Sequence, residues 1–249
     1  VGTPGDTVRV ELLNVTPEVV RWAVVTEDGN WSADFSTINH PWDSQTMFDL
    51  VRGSPGQAID FEDDGDGDAT VANWHIPDPV IKVWINENRM EGYDWVLGTP
   101  VTIEVDDPGT LQSVDYTETQ TVVRPDWDPN GTIVWFNPGD SYQLKPGDLV
   151  TMTDGVATKT HTITQVTITG ADVGADTVTG TAAPGTTVGI CLHVDGCLWR
   201  WETADVEGNW LADFSVSQDE NPVFDIRPGT SMDAVQWEED GDGTGYLYY

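Results

Sequence analysis

Gly29-Asn30-Trp31-Ser32-Ala33-Asp34-Phe35-Ser36 places Trp31, Ala33 and Phe35 on one side of an extended chain and Ser32 and Asp34 on the other. That alternation is the pattern of a half-buried strand. The octet returns with one change as Gly208-Asn209-Trp210-Leu211-Ala212-Asp213-Phe214-Ser215. Its surroundings return in the same order. Thr3-Pro4-Gly5-Asp6-Thr7-Val8 matches Ala183 to Val188, Arg21-Trp22 matches Arg200-Trp201, Phe48 to Gly53 matches Phe224 to Gly229, and Glu62 to Gly67 matches Glu238 to Gly243. A weaker copy between them keeps Asn130-Gly131, Trp135-Phe136 and Tyr142 to Gly147 in order. The chain therefore reads as three tandem modules of roughly 75 to 90 residues, with boundaries at 1–75, 76–163 and 164–249.

Further alternating runs occur at Val8 to Leu12 and Val101 to Val105, and Pro-Gly, Asp-Gly or Asn-Gly pairs punctuate the chain every ~8 to 12 residues. Helical periodicity with caps is absent. Short strands, frequent turns and no intervening helices predict an all-β fold of three antiparallel β-sandwich modules. Gly180-Thr-Ala-Ala-Pro-Gly-Thr-Thr-Val188, followed by Asp205-Val-Glu-Gly-Asn-Trp-Leu-Ala-Asp-Phe-Ser215, resembles the opening and mid-domain strands of bacterial immunoglobulin-like (Ig-like) repeats, as found in cell-surface adhesins. The resemblance covers the first and third modules well and the second loosely. It implies Ig-like sandwiches, tandem packing and an extracellular or cell-surface location. Secreted glycan-active enzymes carry such modules too, so it speaks to fold more than to function.

Ten Lys plus Arg against 43 Asp plus Glu leave a formal charge of −33, which repels nucleic acid and anionic membranes. The acidity fits either cation binding or adaptation to high salt. With 38% hydrophobic residues and 12 Trp the chain can still bury cores. No apolar run reaches the ~20 residues of a membrane span. No signal-peptide pattern is present, so secretion implies numbering from a processed or internal position.

Three features are candidate sites. The acidic loops offer Glu62, Asp64, Asp66 and Asp68, and Glu238, Asp240 and Asp242, alternating with Gly as a calcium loop would. The closing bidentate Glu of a helix-loop-helix site is missing, and a polar hairpin turn is the competing reading. Cys191 and Cys197 are the only cysteines, and they read as a disulfide or as two thiols. A two-residue Asp195-Gly196 turn would leave Cys191 on the wrong face, so a bridge requires a wider loop.

The aromatics form the third feature. Trp22 with Trp201, Trp31 with Trp210 and Phe61 with Trp237 recur, which predicts core positions. Trp42, Trp74, Trp84, Trp95, Trp127 and Trp199 do not recur. Of these, Trp95 and Trp127 lie in irregular parts of the second module and are the candidate carbohydrate contacts.

His40, His75, His161 and His193 are scattered without a nucleophile motif, and no phosphate loop is present, so an enzyme is not the expected reading. The expected function is a structural or adhesive repeat of a stalk, surface layer or fibre. It is stabilised by calcium if the loops bind it, and it partners with further copies of itself, head to tail, through Tyr246 to Tyr249. A carbohydrate-binding accessory segment that engages surface glycans is the alternative.

Overall fold

The structure is a computed structural model that describes residues 2–61, 68–194, 196–218 and 221–249. It is all-β, with sheets built almost wholly from antiparallel pairs. The chain separates into two compact units, Val1–Asp78 and Pro79–Tyr249.

The first unit contains β1 (Thr7–Leu12), β2 (Val20–Val24), β3 (Pro55–Phe61) and β4 (Ala69–His75), which form one sheet in the order β2-β1-β3-β4. Val8, Val10, Leu12 and Ala58 face inward from this sheet onto Phe35, with Trp31, Ala33, Phe48 and Trp74 half-covering them. No strand forms at Trp31 to Asp34.

The second unit begins with β5 (Val80–Trp84), a single 3-10 turn (Ile85–Glu87), β6 (Arg89–Tyr93), β7 (Pro100–Asp106), β8 (Tyr116–Thr121), β9 (Ile133–Phe136), β10 (Leu149–Thr153) and β11 (Thr158–Thr162). It continues with β12 (Thr167–Asp172), β13 (Thr177–Thr181), β14 (Thr187–Leu192), β15 (Leu198–Thr203), β16 (Asn209–Asp213), β17 (Met232–Trp237) and β18 (Gly243–Tyr248). Two of its sheets have the orders β11-β10-β7-β8 and β12-β13-β16. The third is a seven-stranded sheet, β15-β14-β17-β18-β5-β6-β9, closed at its middle by a parallel pair in which Gly243, Thr244 and Gly245 face Lys82, Val83 and Trp84.

Two apolar cores lie on the inner side of this long sheet. One gathers Ile81, Val83, Met90, Ile103, Phe136, Val150 and Met152. The other gathers Ile168, Val178, Ile190, Trp210, Phe214 and Ala234. Alternation along each strand sends the intervening residues to the outer side, where the candidate site lies. Among the described residues no helix is long and apolar enough to cross a membrane.

Candidate functional site

The repeated Arg-Trp pair sets the character of the outer face. Period-two geometry sends Arg21 and Trp22 to opposite sides of β2, and Arg200 and Trp201 to opposite sides of β15. Arg21 and Arg200 point inward, at 2% and 1% exposure. The Arg21 guanidinium donates to the carbonyls of Val20, Asp34, Phe35 and Thr46 at 2.8 to 3.1 Å. That of Arg200 donates to Trp199, Asp213, Val216 and Pro222 at 2.7 to 3.1 Å. Each also lies against an aromatic ring, Arg21 at 5.7 Å from Phe35 and Arg200 at 4.8 Å from Phe214. Burial pulls the Arg200 pKa down, and the nearby Asp213 and Glu202 oppose that shift. A buried cation is tolerated because its donors are matched to backbone carbonyls of the strands and loops around it.

The core expectation therefore fails for four of the six recurring aromatics. Trp201 is 43% and Phe61 46% exposed, and Trp22 and Trp237 are half-buried on the outer side. Only Trp31 and Trp210 face inward. In the first unit the outer aromatics form a patch, with Trp22 at 5.2 Å from exposed Trp42 and at 6.3 Å from Phe61.

On the second unit the outer face is more elaborate. Trp199 and Trp201 stack at 5.4 Å and 16°. The Lys82 ammonium lies 4.1 Å from the Trp84 ring and 4.9 Å from the Trp237 ring. Burial lowers the Lys82 pKa, while the charges of Asp233 and Glu91 hold it up. Gly245 makes room for Trp84, since a Cβ there would lie 2.7 Å from the indole. Buried Glu91 accepts from Trp84 Nε1 at 2.7 Å and from the Tyr93 hydroxyl at 2.6 Å, and it pairs with Arg89 at 2.9 Å. Burial and the Glu91 charge push the Tyr93 pKa far up, so its hydroxyl stays a donor. Trp84, Arg89, Glu91 and Tyr93, with Trp127, Trp135 and His193, line a cleft of ≈ 920 Å³. Trp127 is 70% exposed and its ring lies 6.0 Å from Trp135.

Trp95 has no part in this cleft. It is 1% exposed and packed in the core with Met90 and Met152, so it cannot stack on a sugar ring. The sequence places Trp95 and Trp127 alike in irregular stretches and carries no signal that separates them.

Cys191 and Cys197 are joined in a disulfide, with Cα atoms 5.5 Å apart. Leu192 and Leu198 form the last pair of the hairpin, so its loop is wider than the two-residue turn. Cys191 pairs with Trp199, and Cys197, two residues before Trp199, returns to the same face. Asp195 lies outside the described residues. The loop sets His193 at the rim of the cleft, 2.7 Å from Asp233 Oδ2. Cys191, His193 and Asp233 place one donor atom each within 4.8 Å of one another, but the disulfide takes up the Cys191 sulfur.

Of the acidic loops, Glu62, Asp64 and Asp66 lie outside the described residues, and Asp68 is exposed just before β4. The loop between β17 and β18 is described, and its counter-charge is an ammonium. Lys159 Nζ lies 2.6 Å from Asp240 Oδ2 and 3.4 Å from Asp242 Oδ2. Asp242 is fully buried, and its Oδ1 accepts from the Ile81 amide at 2.7 Å. Burial raises its pKa to about 6, against the opposing amide bond and the Lys159 charge. Asp240 is held below the usual carboxylate range, first by its bond from Lys159. Glu238 Oε1 lies 3.3 Å from Nδ1 of buried His161, whose Nε2 lies 2.8 Å from Thr244 Oγ1. Lys159 and His161 come from β11, so these contacts tie β11 to the β17–β18 turn.

No protein-family model and no curated protein matches the chain. Solved structures that it resembles include a tetra-tandem repeat from the extending region of a large adhesion protein, at 14% identity and a TM-score of 0.25, covering 99% of this chain and 66% of that one. Another belongs to a 1.5-MDa bacterial ice-binding adhesin, at 19% identity and a TM-score of 0.24, covering 99% of this chain and 86% of that one. The chain thus spans just under two-thirds of the length of the first.

Proposed function

We propose that the protein is an extracellular adhesive repeat segment, built of three modules of the Ig-like β-sandwich type over 1–75, 76–163 and 164–249, the first carrying one sheet of its sandwich, and that it presents aromatic outer faces for contact. One apolar cluster falls inside each of these spans. The observation that carries the reading is the repeated inversion at Arg21-Trp22 and Arg200-Trp201. Duplication preserves a buried guanidinium and an outward indole, so what recurs is a surface as well as a core. An exposed aromatic face of this kind serves contact with another molecule. The disulfide suits an oxidising compartment. Antibody labelling of intact producing cells, before and after mild surface proteolysis, tests this. Labelling that is lost on proteolysis is expected, and a wholly internal pool would overturn it.

The cleft favours a second reading, in which the adhesive contact is with a neutral sugar. Its polar groups are already partnered, Arg89 with Glu91 and His193 with Asp233. Its volume lies in the ~300 to 1,000 Å³ range of ligand sites, and Trp127 and Trp135 offer ring faces. Calorimetric titration with cellohexaose and chitohexaose tests it. Binding that weakens at least tenfold in Trp127→Ala supports it, and no binding by the wild type refutes it.

A further inference from the structure

The two copies of the repeated octet share a sequence and differ in what covers them. In the second unit Asn209–Asp213 is a strand because β13 pairs along it, with Val178 opposite Ala212 and Gly180 opposite Trp210. The β12–β13 hairpin then seals the core. Trp210, Ala212 and Ile226 are 3%, 0% and 2% exposed, with Ile168 and Val178 packed among them. In the first unit the matching residues are Trp31, Ala33 and Leu50. No strand pairs with them among the described residues, Trp31 and Ala33 are half-exposed, and Leu50 is 37% exposed. Together with Val10, Phe35 and Trp74 they line an apolar cavity of ≈ 280 Å³. The first unit is therefore half of a sandwich whose other half is visible in its own repeat.

We infer that the cavity face of the first unit, along Trp31 to Asp34, is a docking site for a β-hairpin of the Thr167–Thr181 type, supplied by a further module of the same repeat. The donor is not β12–β13 of a second copy. That hairpin is already paired to β16, and withdrawing it would open the core around Trp210. The site selects its occupant by shape. In the second unit a Cβ at Gly180 would stand 2.0 Å from the Trp210 ring, so the hairpin must bring glycine over the indole. It must also bring β-branched apolar residues at the Ile168 and Val178 positions, and its added strand would pair along residues 31–34 as β13 pairs along β16.

A copy of residues 165–181 joined directly to Gly2 tests this, because Thr181 leads through Ala182 into Ala183-Pro184-Gly185 as Gly2 leads into Thr3-Pro4-Gly5. Amide hydrogen exchange of residues 31–34 is the readout. At least tenfold slower exchange in the grafted chain is expected, with no slowing in grafts carrying Gly180→Val or Val178→Asp in the copied segment. Equal exchange in grafted and wild-type chains would overturn the inference. So would protection of the same amides in a self-associated wild-type chain, since the occupant would then be a second copy.

Discussion

Replacing Lys159 with Met keeps most of the side-chain volume and removes the ammonium between Asp240 and Asp242. Asp240 is about half exposed and turns to water, so the cost falls on Asp242. Above its pKa of about 6 this carboxylate is charged, fully buried and left with only the Ile81 amide. Removing one partner of a buried pair costs about 3 to 5 kcal/mol. Lys159 keeps 15% exposure and stands 3.4 Å away, so the expected loss at pH 8 falls below that range, at about 2 to 3 kcal/mol.

The pH dependence follows from the raised pKa. The folded chain holds a proton on Asp242 more tightly than the unfolded chain does, so between pH 6 and pH 3.8 acidification favours folding through this group. Without Lys159 that pKa rises further, and the penalty of the variant shrinks as the pH falls, to about 1 kcal/mol at pH 5. His161 opposes this trend in both chains: burial holds its folded pKa below 6.5, so its contribution is present above pH 6.5 and fades on acidification. Urea unfolding of wild type, Lys159→Met and Lys159→Met/Asp242→Asn at pH 8 and pH 5 measures these terms. A loss below about 0.5 kcal/mol at pH 8, or an equal loss at both pH values, would refute the claim that Lys159 compensates a buried charge.

Arg200→Met should cost about 3 to 5 kcal/mol in urea unfolding, since four carbonyls lose a charged donor in a buried site. Arg21→Met should destabilise the first unit similarly, whereas Trp201→Ala should change stability by less than about 1 kcal/mol. Replacing both cysteines with Ala opens a loop of sequence separation 6 and should lower stability by about 2 kcal/mol. Calcium should raise the thermal midpoint of Lys159→Met more than that of the wild type, because the ammonium no longer neutralises Asp240 and Asp242; equal shifts would place any calcium effect elsewhere.

The strands were legible because alternation and turn residues act locally. Trp31-Ser-Ala-Asp-Phe35 carries its period in five letters, yet only its second copy becomes a strand, because pairing needs β13. Which face of Arg21-Trp22 is the core could not be read locally. Hydropathy alone puts the indole inside. The structure reverses this with carbonyls 13 to 25 residues further along, at Asp34, Phe35 and Thr46. The cleft was illegible for the same reason, since Trp84, Trp127 and His193 meet only after β5, β6 and β9 join the sheet of β14 and β18. Asp242 offers oxygen ligands in a Gly-spaced loop, but the ammonium beside them comes from Lys159 in another hairpin, a neighbour that local sequence does not reveal.

The parallel pairing of β18 with β5 also governs the order in which the second unit can form. Asp242, at the mouth of β18, bonds to an amide 161 positions earlier in the chain. Until synthesis has run that far, β5 has β6 on one side and an open row of backbone groups on the other, with Ile81 and Val83 uncovered from that edge. Closing so long a loop is entropically slow, and the nascent edge is a target for wrong partners meanwhile. The two cores that share this sheet are thus finished by one late event, and the second unit should mature as a single body after its last strand is made.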